Sequence, residues 1–185
     1  MKLFIKNMVC PRCVMSVEQL LTASGVEYHS VRLGEVDTVQ QLDKAKLEEV
    51  DRELRKIGFE LLEDPAAKMI EKVKSLLIKV VQKGVDDHFS IQKYLKDNIF
   101  KDYSTISKIF SQVEGVTIEH YFILQKIEKA KELLVYNEMA LGSIASFLGY
   151  SSSQHLSAQF KQITGMTPTQ FKSMGHGLRK AIDKV

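Results

Sequence analysis

Residues 141–171 read LGSIASFLGYSSSQHLSAQFKQITGMTPTQF, and this stretch decides the fold of the second half of the chain. Its first part, GSIASFLG, predicts a short helix, and a second helix begins at a serine cap and buries Leu156 and Phe160. A turn centred on residues 149–151 separates the two. A short turn containing glycine allows two helices to cross steeply, so the stretch predicts a helix-turn-helix unit.

The same plan occurs upstream. Residues 89–115, FSIQKYLKDNIFKDYSTISKIFSQVEG, predict a second pair of short helices, and residues 118–134 predict a long amphipathic helix between the two units. A further helix with a broad apolar stripe is predicted over residues 66–83. After that helix, the helices predicted in this part of the chain lie near residues 90–97, 102–113, 117–135, 140–148, 152–163 and 167–174.

The first 64 residues have a different pattern. KLFIK predicts a strand and MSVEQLLTAS a helix; VEYHSVRL and EVDTV predict two strands, KLEEVDRELRKIG a second helix, and FELLE a last strand. This β-α-β-β-α-β order is typical of the split βαβ, ferredoxin-like plan. Pro65 suits the first turn of a new helix. The predicted class is therefore α+β, with a ferredoxin-like domain at residues 1–64 and an all-α domain with a C-terminal tail at residues 65–185.

Composition and charge narrow the function classes. The chain has 185 residues, 44% of them hydrophobic, and two cysteines. It contains neither the pattern of a secretory signal nor an apolar run that could span a bilayer, so we expect a cytoplasmic protein with reduced thiols. Residues 1–64 hold 9 Lys+Arg and 12 Asp+Glu, whereas residues 65–185 hold 17 and 11. The basic second part makes polyanions candidate partners, and no catalytic constellation indicates an enzyme.

The helical part resembles the DNA-binding domain of AraC-family transcription regulators. The resemblance rests on ISKIFSQVEGVTIEHYFILQKIEKAKELL and on IASFLGYSSSQHLSAQFKQITGMTPTQFK, and it covers about residues 66–173. It implies two reading helices that enter successive major-groove segments of double-stranded DNA. Glutamine suits adenine edges, and Ala158 stands where many relatives have an arginine that would read guanine. The implied DNA contacts are Ser104, Thr105, Ser107, Lys108, Ser153, Gln154, Ser157, Lys161 and Thr169, the last two to phosphates.

The N-terminal part resembles a heavy-metal-associated domain. KNMVCPRC after the first strand and LRKIGFEL near the end carry this resemblance, although Asn7 and Val9 replace the usual glycine and threonine. Cys10 and Cys13 stand before a helix, whose positive end is expected to lower their pKa values. Soft thiolates favour Cu(I) and other thiophilic ions such as Ag, Cd or Hg. Zn²⁺ usually takes four ligands and would need His29, a carboxylate or cysteines of a second protomer.

These resemblances predict a transcription regulator whose cysteine loop responds to a thiophilic metal ion, such as Cu(I). Metal binding is expected to act through the helix at residues 66–83 on DNA affinity or on contact with RNA polymerase. Three alternatives stay open: a thiol-redox regulator on the same scaffold, a metal-buffering or trafficking protein, and a clasp that no longer binds metal. A homodimer is a further candidate assembly, and a membrane is not an expected partner.

Overall fold

The computed structural model describes residues 1–86, 88–136 and 139–174. Within them the chain forms two compact units, Met1–Ser75 and a second unit from Leu76 onward. The division falls inside the helix that starts at Pro65, whereas the sequence suggested a boundary in front of that helix. The predicted C-terminal tail, residues 175–185, lies outside the described residues.

The first unit has the element order that the sequence predicts. Its elements are β1 (Lys2–Lys6), α1 (Pro11–Ala23), β2 (Tyr28–Arg32), β3 (Glu35–Thr38), α2 (Lys44–Lys56) and β4 (Glu60–Leu61). The strands form one antiparallel sheet in the order β2-β3-β1-β4. Nine buried side chains form the core, namely Leu3, Ile5, Met8, Val17, Leu21, Val26, Val36, Val50 and Leu54.

Two local expectations for this unit were wrong. The first helix begins at Pro11, four residues earlier than predicted, because proline suits the first helical position and Cys10 serves as the N-cap. The alternation in VEYHSVRL predicts that Tyr28 and Val31 lie on opposite faces of the strand, but a register shift between Tyr28 and Ser30 breaks this alternation. The shift is a bulge, which adds one residue to a strand. Consequently Tyr28 and Val31 both pack on the core, although strict alternation assigned them to opposite faces.

The rest of the described chain is helical. The helices are α3 (Pro65–Lys83), α4 (Ile91–Ile99), α5 (Tyr103–Glu114), α6 (Ile118–Tyr136), α7 (Leu141–Phe147), α8 (Ser153–Thr164) and α9 (Pro168–Met174). These bounds differ from the predicted ones by one or two residues. None of the described helices is both long enough and apolar enough to cross a membrane.

Edge-on aromatic pairs form the centre of the second unit. The Phe110 and Tyr121 ring centroids lie 5.6 Å apart, and those of Phe160 and Phe171 lie 5.5 Å apart. Such pairs add about 0.5–1.5 kcal/mol beyond the burial of their area. The first pair holds α5 on α6, and the second holds α8 on α9, so each predicted reading helix is anchored by a phenylalanine on its inner face.

Candidate functional site

The two helix-turn-helix units turn through one left-handed residue each. In the helix-turn-helix unit formed by α7 and α8, Gly149 has φ +66°, and a Cβ atom at this position would lie 2.9 Å from Cγ1 of Val85. In the helix-turn-helix unit formed by α4 and α5, Phe100 takes the left-handed conformation with φ +57°, while its side chain is 87% exposed. A bulky residue with positive φ is a strained outlier. Sequence reasoning missed Phe100, because only a glycine would have indicated the turn.

The reading helices are capped differently. The Ser152 hydroxyl accepts a hydrogen bond from the backbone N–H of His155 over 3.1 Å and so caps α8. Asp102 stands at the N-cap of α5 without a side-chain cap bond. Tyr103 instead connects α5 to α6, because its hydroxyl donates to Oε1 of Glu119. Burial, followed by this carboxylate contact, raises the pKa of Tyr103, so the phenol stays protonated as a donor.

The predicted DNA contacts lie on three helices. Four are on α5, four on α8 and one on α9. The exposed ones are Ser104, Thr105 and Lys108 on α5, Gln154 and Lys161 on α8, and Thr169 on α9, whereas Ser107, Ser153 and Ser157 are half-buried. Each reading helix therefore presents polar side chains opposite its buried apolar face.

Hydroxyl groups on α8 are already engaged within the helix. The Ser157 hydroxyl donates to the Ser153 carbonyl over 2.7 Å, and the Ser153 hydroxyl donates to Oε1 of Gln154 over 3.2 Å. Within the described part of the chain, Lys108 and Lys161 form no ion pair. A solvated ammonium without a carboxylate partner is available to a phosphate. The ammonium groups of the two lysines are thus more available for contacts with DNA than the hydroxyl groups of the two serines.

The cysteine pair begins α1. The two Sγ atoms lie 3.4 Å apart, both thiols are reduced, and both residues are half-buried. Cys13 also donates its backbone N–H to the Cys10 carbonyl over 3.0 Å, because it lies in the first helical turn. The spacing C-x-x-C therefore places both sulfur atoms on one side of the helix start.

The expectation of a lowered pKa was wrong for Cys13. Burial raises the pKa of the Cys13 thiol, and the hydrogen bond with Cys10 acts in the same direction. Hydrogen bonds with the backbone of Val9 and Cys10 oppose this change without reversing it. Desolvation penalises the thiolate more than the helix start favours it.

The loop before the cysteines is held by the rest of the first unit. Asn7 has φ +72°, a conformation that glycine and asparagine adopt most easily, which accounts for asparagine where the resembled family has glycine. Its Nδ2 donates to the Gly58 carbonyl over 3.1 Å, and its backbone N–H donates to Oε1 of Glu71 over 3.3 Å. Met8 is fully buried.

The donor set of the loop is small. Among the described residues, no group of three or more histidine, cysteine or carboxylate side chains could hold a metal ion, so neither His29 nor a carboxylate joins Cys10 and Cys13. Two converging sulfur donors suit a thiophilic ion such as Cu(I). They do not supply the four ligands that a structural Zn²⁺ usually takes.

Comparison with known proteins concerns the helical part. The model of a helix-turn-helix domain family matches residues 99–174. The HTH-type transcriptional activator RhaR of Klebsiella pneumoniae is 27% identical over 110 residues, which cover 60% of this chain and 39% of RhaR. The bifunctional transcriptional activator/DNA repair enzyme AdaA of Bacillus subtilis is 30% identical over 67 residues, which cover 36% of this chain and 32% of AdaA. The chain thus spans well under half the length of these relatives.

One solved structure shares its fold with part of this chain. The C-terminal domain of AraT, a response regulator from Geobacillus stearothermophilus, superposes with a TM-score of 0.53 at 18% identity and covers 63% of this chain and 94% of that domain. Residues 99–174, which the family model matches, contain Phe100, Gly149 and all nine predicted contact residues. Residues 99–174 of this chain therefore match a helix-turn-helix domain family.

Proposed function

We propose that the chain is a sequence-specific transcription regulator that binds double-stranded DNA with α5 and α8. The observation that carries the proposal is the repeated geometry: two helices, each following a left-handed turn, bury one apolar face and expose polar side chains on the other. Helices of this kind fit the major groove, where hydrogen-bonding groups of the bases are distinguishable. RNA polymerase is a further proposed partner, and the cytoplasm is the proposed compartment.

Within this proposal the side chains have different tasks. Gln154 is exposed near the start of α8, and an amide can address the N6 and N7 positions of adenine. Lys108 and Lys161 supply charge to phosphates, which fixes the position of the protein without reading sequence. Ala158 offers the groove only a methyl group. Base recognition by α8 therefore depends mainly on Gln154.

Selection of bound duplexes from a random library, followed by fluorescence anisotropy, tests this function. We expect an enriched motif, and an affinity for it that exceeds the affinity for a scrambled duplex about a thousandfold or more. The affinity for both duplexes should fall as salt rises, because counterions are released on binding. If no duplex binds at 100 mM salt, or if all bind equally, the proposal of sequence-specific binding fails.

For the first unit we propose a heavy-metal-associated-like, ferredoxin-like domain whose ligand is a thiophilic ion such as Cu(I). The β-α-β-β-α-β order, the strand order β2-β3-β1-β4 and the converging sulfur atoms of Cys10 and Cys13 support this proposal. The thiolates would hold the ion, and α1 would place its positive end next to them. Met8 packs in the core and is not a proposed ligand.

Competition between the reduced protein and a Cu(I)-binding chromophore tests the metal site. We expect about one ion per chain, with binding abolished when Cys10 and Cys13 are both replaced by serine. Retained binding by the double variant would exclude the cysteine pair as the site. Measuring DNA affinity with and without Cu(I) then tests whether the ion regulates the protein.

A redox switch is the second candidate, because the two sulfur atoms lie only 3.4 Å apart. A disulfide would need them to approach to about 2.05 Å. Under this alternative an oxidant changes DNA affinity and Cu(I) does not. Under the trafficking alternative the protein binds Cu(I) and no duplex. Competition for Cu(I), together with DNA titrations in the presence of Cu(I) and of an oxidant, therefore separates all three functions.

A further inference from the structure

Lys126 of α6 lies against the turn that leads into the second reading helix. Its Nζ atom is 3.9 Å from the centroid of the Tyr150 ring and 5.6 Å from that of Phe122. No carboxylate pairs with Lys126 among the residues that the structure describes. The aromatic faces are thus the main electrostatic partners of this cation, and attraction between a cation and a ring reaches about 2 kcal/mol when both are desolvated.

Tyr150 transmits this contact to α8. The side chain is only 4% exposed, and its hydroxyl donates to Oε1 of Gln159 over 2.6 Å. The ring also meets the His155 ring edge-on, with centroids 5.2 Å apart and an interplanar angle of 88°. One aromatic side chain therefore touches α6 through Lys126 and α8 at two positions separated by about one helical turn.

We propose that Lys126 is a positioning residue: it fixes the Tyr150 ring, and Tyr150 in turn fixes the orientation of α8 through Gln159 and His155. The inference rests on the proposed function, because orientation of α8 matters for reading a groove. A base-reading side chain must be held within about 0.5 Å and 10–20° of its productive geometry. A loosened α8 should therefore lose selectivity before it loses general affinity for DNA.

The environment of Lys126 agrees with this role. Burial lowers the pKa of Lys126 to about 8, so keeping the amine charged here costs free energy. Residues that cost folding free energy in this way are commonly found at functional sites. A methionine at this position would fill similar space without that cost, and it would also remove the attraction to the Tyr150 ring.

The experiment compares Lys126→Met, Lys126→Arg and the matched control Lys79→Met. Lys79 is exposed on α3, so its replacement removes the same charge without touching Tyr150. For Lys126→Met we expect about a tenfold loss in the ratio of affinities for the selected motif and for a scrambled duplex. Lys126→Arg should keep the ratio, because a guanidinium also stacks on rings. Equal ratios for Lys126→Met and Lys79→Met would overturn the proposal.

Two further measurements keep the test independent of folding and of the DNA proposal. Tyr150→Phe keeps the ring over Lys126 but removes the bond to Gln159, and it should lower the same ratio by about threefold. Amide hydrogen exchange without DNA should become faster in α8 of Lys126→Met, while exchange in α5 stays as in the wild type. Unchanged exchange in α8 would refute the positioning role, whereas a wild type that binds no duplex would refute the proposed function instead.

Discussion

The backbone N–H of Asn7 donates a hydrogen bond to Oε1 of Glu71, a carboxylate that is only 4% exposed. The bond joins the end of β1, directly before the cysteine loop, to the first half of α3. Gly34 lies against the same helix, since a Cβ atom there would be 2.6 Å from Oγ of Ser75. A buried carboxylate that accepts a backbone N–H is a specific anchor, and the residues around it are tightly packed.

Replacing Glu71 tests this anchor. Glu71→Ala should destabilise the first unit by about 1–3 kcal/mol, because the partly buried N–H of Asn7 loses its acceptor. Glu71→Gln keeps an acceptor oxygen and should cost less. Urea unfolding and the exchange rate of the Asn7 amide measure the two effects. Glu63→Ala, at an exposed position, is the control; an equal loss for Glu63→Ala and Glu71→Ala would contradict the anchor.

Gly149 should tolerate no side chain. Gly149→Ala combines a left-handed conformation with a close approach to Val85, and we expect a loss of about 2–5 kcal/mol. Gly115→Ala is the matched control: it has φ +72° and nothing within 4 Å of its Cβ position, so it should lose only about 1–2 kcal/mol. Chemical denaturation of both variants provides the comparison. Equal losses would mean that Val85 moves aside freely.

Phe100 offers the opposite case. Phe100→Gly should stabilise the second unit by about 1 kcal/mol, because the positive φ strains phenylalanine and its exposed ring contributes little packing. Phe100→Ala keeps the strain and removes the ring, so the unfolding free energy should stay close to that of the wild type. A stabilisation by alanine as large as that by glycine would show that ring exposure, and not φ, is the cause.

The DNA contacts can be divided by their salt dependence. Gln154→Ala should cost about 1–3 kcal/mol for the selected motif and relax preference at one base pair, without changing the salt slope. Lys161→Ala should weaken binding to all duplexes and reduce the slope of log K against log salt by about 1. Anisotropy titrations at four salt concentrations measure both quantities. A slope unaffected by Lys161→Ala would remove this lysine from the interface.

The lowered pKa of Lys126 predicts a pH effect with a defined sign. The pKa falls from its ordinary 10.5 to about 8 in the folded state, so between these values the unfolded chain binds more protons. The contribution of Lys126 to the unfolding free energy therefore increases from pH 8 to pH 9.5, while loss of the cation lowers DNA selectivity.

Urea unfolding of the wild type and of Lys126→Met at pH 7 and pH 9.5 isolates this contribution. The wild type should gain stability relative to the variant at the higher pH. An identical pH dependence of the two proteins would show that Lys126 does not titrate in this window.

The helical bounds could be predicted from the sequence because apolar periodicity, serine caps and glycine stops agree there. Ser152, Gly115 and Gly165 end or begin helices where the pattern places them. The early start of α1 was missed, although Pro11 was a sufficient signal. The bulge in β2 could not be derived, because a register shift depends on pairing with β3 and not on local composition.

The candidate site was predictable only in part. The outward positions of α5 and α8 follow from helical spacing, so residues such as Lys108 and Gln154 could be selected without a structure. The contact between Lys126 and Tyr150 joins residues that are 24 positions apart in the sequence, and no local sequence pattern predicts it. The raised pKa of Cys13 likewise depends on burial, a property of the folded unit.

The unequal turns make the two helix-turn-helix units non-interchangeable parts. Transplanting the first turn into the second would put a phenylalanine where Val85 leaves room only for hydrogen. An engineer who wishes to exchange specificities should therefore splice after the turns, at the N-caps Asp102 and Ser152. Downstream of those two points each reading helix keeps its own exposed side chains. The turn in front of it is left unchanged, so Gly149 stays packed against Val85.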